Sequence, residues 1–318
     1  MRLDPRLRRG LSYALVAAAF VFLGAEIYGN ADQLREFRWE VRPGLLALSI
    51  AVLSGVLLWG VVVWQLVLRR FGTEVPFRAL ARAWFLSNLS RYIPGVVWQF
   101  VSLAQLGPGA GLSPSATVMS LLVQMGFMLL SAGILGVYLL PLEMAAELGA
   151  QSPAFGWVAP FVLAMRWAAP LALVLVHPGV MRAGLGAVGR ATRRPMLRWE
   201  GSWAEGVGFL LLSGIAWVLY GLAFYLFLLS FVEVAPAAIP AAIAMNGLAF
   251  IVGYLVFFAP GGLGFKEAAL AFLLSGLVPT AVAASLAIAA RLWTIAAEVL
   301  PALVLARRGA APGATAAD

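Results

Sequence analysis

Apolar runs of membrane length, separated by short polar stretches, dominate the chain. The first runs from Leu11 to Tyr28, behind Arg2, Arg6, Arg8 and Arg9. It is long enough to span a bilayer and is read as a transmembrane helix, not a cleaved leader. Asn30–Arg42 is a mixed-charge loop. Pro43-Gly44 opens a second span over about Leu45–Leu68, closed by Arg69-Arg70. Phe77–Ser90 is helix-compatible but carries Arg78, Arg82 and Asn88, so it does not simply face lipid. It runs into Arg91-Tyr92-Ile93-Pro94-Gly95-Val96-Val97-Trp98-Gln99, and a second helical piece follows to about Leu106. After a turn at Gly107–Pro114 comes a span at Ser115–Leu140, then a loop at Pro141–Gly156 and a span at about Trp157–Val176. The segment His177–Ser202 is arginine-rich. Further spans are expected at about Ala204–Phe231 and Ile239–Phe258. A Pro260 break, a helical piece to about Ser275 and a last span at Pro279–Leu305 follow. The tail 309–318 is expected to be disordered.

Two breaks stand out, because backbone interruptions and ionisable groups at membrane depth are both costly. The second, Ala259-Pro260-Gly261-Gly262-Leu263-Gly264-Phe265-Lys266-Glu267, contains the only lysine of the chain. Pro94-Gly95 and Pro260-Gly261 superpose 166 residues apart. Gly111-Leu112-Ser113-Pro114-Ser115 matches Gly276-Leu277-Val278-Pro279-Thr280 at 165. Each half then reads span, span, broken hairpin, span, over about 11–140 and 157–305. The expected fold is a single all-α polytopic membrane domain. It is an inverted repeat of two halves, each with a broken or re-entrant helical hairpin, an architecture common among transporters.

Composition agrees. Of 318 residues, 63% are hydrophobic and 11% charged, against about 25% charged in soluble proteins. The basic residues sort by loop. Fifteen arginines fall in the N-terminal tail, Arg69–Arg82, the 177–202 segment and Arg307-Arg308; three (Arg35, Arg38, Arg42) fall on the other side. By the positive-inside rule both termini are cytoplasmic, in a cell (inner) membrane. The net charge of +8 therefore reflects topology, and no nucleic-acid partner is expected. Trp39, Trp157, Trp199 and Trp203 read as interface anchors. With no cysteine and one histidine, His177, no metal site or disulfide is expected. Hydrolase, Walker and dinucleotide motifs are missing, so neither enzymatic activity nor a cofactor is expected.

Four cations remain at membrane depth, Arg91, Arg166, Lys266 and Arg291, against two anions, Glu267 and Glu298. That imbalance favours an anionic ligand such as a lipid phosphate. A helix restarting after Pro260-Gly261-Gly262 presents free N–H groups and partial positive charge, with Gly264 allowing close approach and Lys266 in its first turns. Glu267 is expected to pair with Lys266, Arg291 or Arg166, or to stabilise the helix start. Arg291 and Glu298 share a face of the last span. Arg166 finds Glu267 or Glu298, or binds an anion. Gln99 caps the first break or contacts a head group. A kinked helix with a purely structural Lys266–Glu267 pair is the rival reading.

The two stretches Arg91–Gln99 and Pro260–Ala268 resemble the signatures of the lysylphosphatidylglycerol synthase/flippase transmembrane family, and the resemblance covers nearly the whole chain. Where that family usually has Arg before Glu, this chain has Lys266. Charge is kept but bidentate phosphate recognition is not. The resemblance implies a flippase-like domain with broken helices lining cavities for a phospholipid or polyprenyl-linked lipid. With about ten residues after the last span, the chain is not expected to carry the aminoacyl transferase of bifunctional members. Lipid translocation is the expected function, with membrane lipids as partners. The alternatives are a lipid-binding accessory subunit that docks an enzyme of the same pathway through 177–202, and a small-solute transporter.

Overall fold

The computed structural model describes residues 21, 24–25, 27–29, 31–37, 39–89, 102–103, 105–192, 199–256 and 262–307. Every regular element among them is helical, and six helical stretches are long and apolar enough to cross a membrane. The protein is an all-α, multi-pass membrane protein. The first expected span and the C-terminal tail lie outside the described residues, apart from a few positions near Tyr28.

α1 (Pro43–Arg69) starts with proline at its first position, where the missing N–H costs nothing. α2 is Phe77–Leu89. α3 (Pro114–Leu139) is capped by Ser113, whose Oγ accepts the Ala116 N–H at 3.2 Å. The expected loop 141–156 instead holds a helix, α4 (Leu142–Ala150), with Ala145 and Leu148 buried. Its alanines favour helix and Glu143 complements the helix start. α5 (Val158–Ala168) continues through a 3-10 turn and one more helical turn to Leu175. α6 (Pro178–Thr192) lies within the arginine-rich segment. α7 (Trp203–Leu229) opens with a capping box: Ser202 Oγ accepts the Glu205 N–H, and Glu205 accepts the Ser202 N–H at 2.8 Å. α8 (Ile239–Leu255), α9 (Phe265–Leu274) and α10 (Thr280–Arg307) complete the chain. α8 ends before the expected Phe258, with Val256 already non-helical.

α1 and α7 form the centre of the bundle and run antiparallel. At one end the Arg42 N–H bonds the Ser230 carbonyl at 2.9 Å. Midway the Trp59 indole donates to the Leu212 carbonyl, and at the other end Arg70 pairs with Glu205 at 2.8 Å. The other helices pair in matched sets. α1 touches α2, α3 and α10, while α7 touches α8, α10 and α3; α2 packs on α10 as α8 packs on α3. Exchanging α1 with α7, α2 with α8 and α3 with α10 maps each of these pairings onto another.

The two ends differ in charge. Arg69, Arg70, Arg78, Arg82, Arg182 and Arg190 gather at one end with Glu74, Glu200 and Glu205. The other carries Asp32, Glu36, Glu40, Glu143, Glu147 and Glu233 with Arg35, Arg42 and Arg166. Trp199 departs from its expected place at an interface. It is buried among Phe71, Phe127 and Phe209, so its ring plugs the arginine end of the core.

Glycines set how closely the helices approach. A Cβ on Gly221 of α7 would lie 2.4 Å from the Ile243 backbone of α8, whereas one on Gly208 would meet nothing within 4 Å. Gly221→Ala is expected to destabilise the protein by about 1–3 kcal/mol through overpacking, and Gly208→Ala to leave thermal unfolding in detergent unchanged or raised.

Candidate functional site

The second break brings α8 and α9 side by side. Gly262 returns against the Gly253 backbone, where a Cβ would sit 2.5 Å from the Gly253 carbonyl oxygen. Gly262 and Gly264 have φ of +67° and +82°, which glycine adopts without strain. α9 then begins with Lys266 and Glu267 in its first turn. Adjacent residues on a helix do not face each other, and these two part ways. The Lys266 ammonium lies over the Tyr220 ring of α7, 5.8 Å from its centroid. Glu267 turns inward, is almost wholly buried, and divides its carboxylate between two partners. Oε2 accepts the Gly264 N–H at 2.7 Å, capping its own helix. Oε1 faces the Arg291 guanidinium of α10 at 3.4 Å.

A small cavity opens beside this group, with about 10 Å³ of free space, roughly one water's requirement. Asn246 of α8, Lys266 and Glu267 of α9, and Arg291, Trp293 and Thr294 of α10 line it. Asn246 is 2% exposed, and its amide nitrogen has no hydrogen-bond partner among the described residues. A buried amide in that state carries a desolvation cost of about 1–3 kcal/mol. Thr294 is already committed, its hydroxyl donating to the Ala290 carbonyl at 2.8 Å. The Trp293 indole donates to Ser49 of α1, tying the cavity wall to the core.

Of the residues expected at the site, Gly262, Gly264, Lys266, Glu267 and Arg291 come together here. Arg166 does not. Its guanidinium donates to the Val137 and Leu140 carbonyls, both at 2.7 Å, and so caps the C-terminus of α3. It finds neither Glu267 nor Glu298 among the described residues. Glu298 shares α10 with Arg291 as expected and is buried, but lies farther along the helix, where Ser54 of α1 bonds the Ala297 carbonyl. Arg91, Pro94, Gly95, Gln99, Pro260 and Gly261 lie outside the described residues. Asn246 and Tyr220 were not among the expected residues. A lone Asn in the apolar run 239–255 was the available signal, since a polar side chain at membrane depth seeks a partner.

The sequence model of the lysylphosphatidylglycerol synthase TM region matches residues 10–302. The chain belongs to this family. No curated protein matches it. As a member of the lysylphosphatidylglycerol synthase transmembrane family, it is a membrane protein with a lipid-related role. The match covers five of the six candidate spans in full and the sixth, Thr280–Leu305, as far as residue 302, and the Lys266–Glu267 break lies within it.

The two cations should behave differently when removed. Arg291→Ala strands the Glu267 carboxylate in the core, and about 3–5 kcal/mol of stability is expected to be lost. Lys266→Ala removes a ring contact of about 0.5–2 kcal/mol. Thermal unfolding of the two variants in the same detergent checks this order.

Proposed function

We propose that this protein is a lipid translocase, and that the anionic head group of its lipid is received in the cavity between α8, α9 and α10. The observation that carries the reading is the Asn246 amide nitrogen, buried without a partner among the described residues in a cavity that Lys266 also lines. Both are donors, and they border a cavity whose one carboxylate, Glu267, is engaged by Arg291 and the α9 N-terminus. A lipid phosphate oxygen supplies the acceptor that Asn246 lacks and the negative charge that Lys266 matches. The protein thus binds and moves a head group, and the bond-making steps belong to other proteins.

Translocation needs the cavity to open by turns to each leaflet. In the state described it has room for about one water, so α8 and α9 must part from α10 to admit a head group. The matched helix pairings support reading the chain as two inverted halves, and rocking of such halves around a fixed site is the usual route to alternating access. The arginine-rich end is read as cytoplasmic by the positive-inside rule. That reading places the protein in the cell (inner) membrane with both termini inside. The acyl or isoprenyl tails remain in the bilayer while the head group crosses.

Asn246→Leu separates function from structure. Replacing an amide whose buried nitrogen lacks a partner by an apolar side chain of similar size is expected to leave stability unchanged or raised. Purified protein in vesicles containing fluorescent phosphatidylglycerol, with a membrane-impermeant reductant added outside, reports the rate of lipid crossing. Asn246→Leu and Lys266→Ala are each expected to slow crossing by about tenfold or more, about 1.4 kcal/mol on the barrier, while keeping the wild-type melting temperature within a few degrees. Wild-type rates in both folded variants would remove the cavity from the transport path.

A further inference from the structure

A second lipid contact is written on α6, outside the cavity. At 3.6 residues per turn its surface divides into three strips. Met181 and Leu185 lie against the apolar cluster that includes Val67 of α1 and Val123 of α3. Arg182 and Arg190 form the second strip, and both are exposed. Val180, Ala183 and Ala187 form the third, and Val188, seven residues from Met181, lies where it meets the first. Val180 is 39% and Val188 37% exposed.

The position of α6 gives the third strip its meaning. The α5 stretch ends at Leu175 and α7 starts at Trp203. These two ends are adjacent, for the Trp203 indole donates to the Leu173 carbonyl at 2.9 Å and Gly206 packs on the Val176 carbonyl. α6 therefore leaves and returns at one level, the end of the bundle where the arginines gather. Its fifteen residues make about 22 Å of helix, short of the ~30 Å hydrocarbon core. A packed apolar strip, exposed valines beside it and arginines on the remaining face are the pattern of a helix lying in the membrane surface. The positive charge of this end and the negative charge of the opposite one select the occupant, because an anionic leaflet attracts basic segments at its surface.

We propose that α6 is an in-plane helix that binds the anionic head groups of the leaflet at the arginine end through Arg182 and Arg190, with Val180 and Val188 seated among the upper acyl chains. This contact is independent of the Lys266 cavity. It anchors the end of the protein to which the linker before α7 is fixed by Trp199.

The chain has no cysteine, so Val180→Cys takes a single environment-sensitive fluorophore. The labelled full chain is placed in vesicles of phosphatidylcholine alone and of phosphatidylcholine with phosphatidylglycerol. With phosphatidylglycerol, the emission is expected to shift to the blue and to be quenched by lipids carrying a quencher high on the acyl chain. The shift is expected to be lost at about 1 M salt, where the Debye length falls to about 3 Å, and in Arg182→Gln/Arg190→Gln. A label at Glu143→Cys, at the acidic end, is expected to read the same in both vesicles. A Val180 label that stays in water with both lipids overturns the proposal and gives the face to a protein partner. Equal shielding in both lipids, or full shielding in the arginine double variant, also overturns it.

Discussion

The Glu267 carboxylate ties the interrupted part of the bundle together. One oxygen closes the N-terminus of α9, whose first N–H groups have no partners within the helix. The other balances Arg291 on α10. A break at membrane depth exposes backbone groups that lipid cannot satisfy, and an arginine there needs an anion. One side chain meets both demands. With Glu267 so engaged, it has little to offer Lys266, which turns to the Tyr220 ring and the cavity. The arrangement leaves a cation and an amide facing a space that holds about one water.

That division of labour changes the meaning of the membrane charges. Counted along the chain, four cations against two anions suggested a broad anion site. In three dimensions Arg166 is committed to the carbonyl end of α3, where helix and guanidinium attract one another. Arg291 is both structural partner and cavity wall. Lys266, over the Tyr220 ring, lines the cavity.

Much of this was legible in the sequence because bilayer physics is restrictive. Spans such as 43–69, 114–139 and 203–229 are uninterrupted apolar runs bounded by Arg, Pro or Ser, so helix is the one structure open to them. The break at Gly262–Gly264 was legible from glycines placed before two ionisable residues. Helices α4 and α6 were not, because both are short, amphipathic and rich in alanine and glycine, and their stability comes from packing against spans that a linear reading does not bring near. Asn246, Tyr220 and the true partner of Arg166 were hidden for the same reason. Their roles depend on contacts between α8, α7 and α3 that no spacing along one helix reveals.

The most direct test of the central claim, that the Lys266–Asn246 cavity receives an anionic head group, is mass spectrometry of the lipids that remain bound to purified protein. Wild type and Lys266→Ala would be prepared from the same membranes and compared with the bulk lipid. The account predicts an anionic lipid enriched on the wild type and lost from the variant, with the zwitterionic background unchanged. Identical lipid profiles on the two proteins, both matching the membrane average, would contradict it.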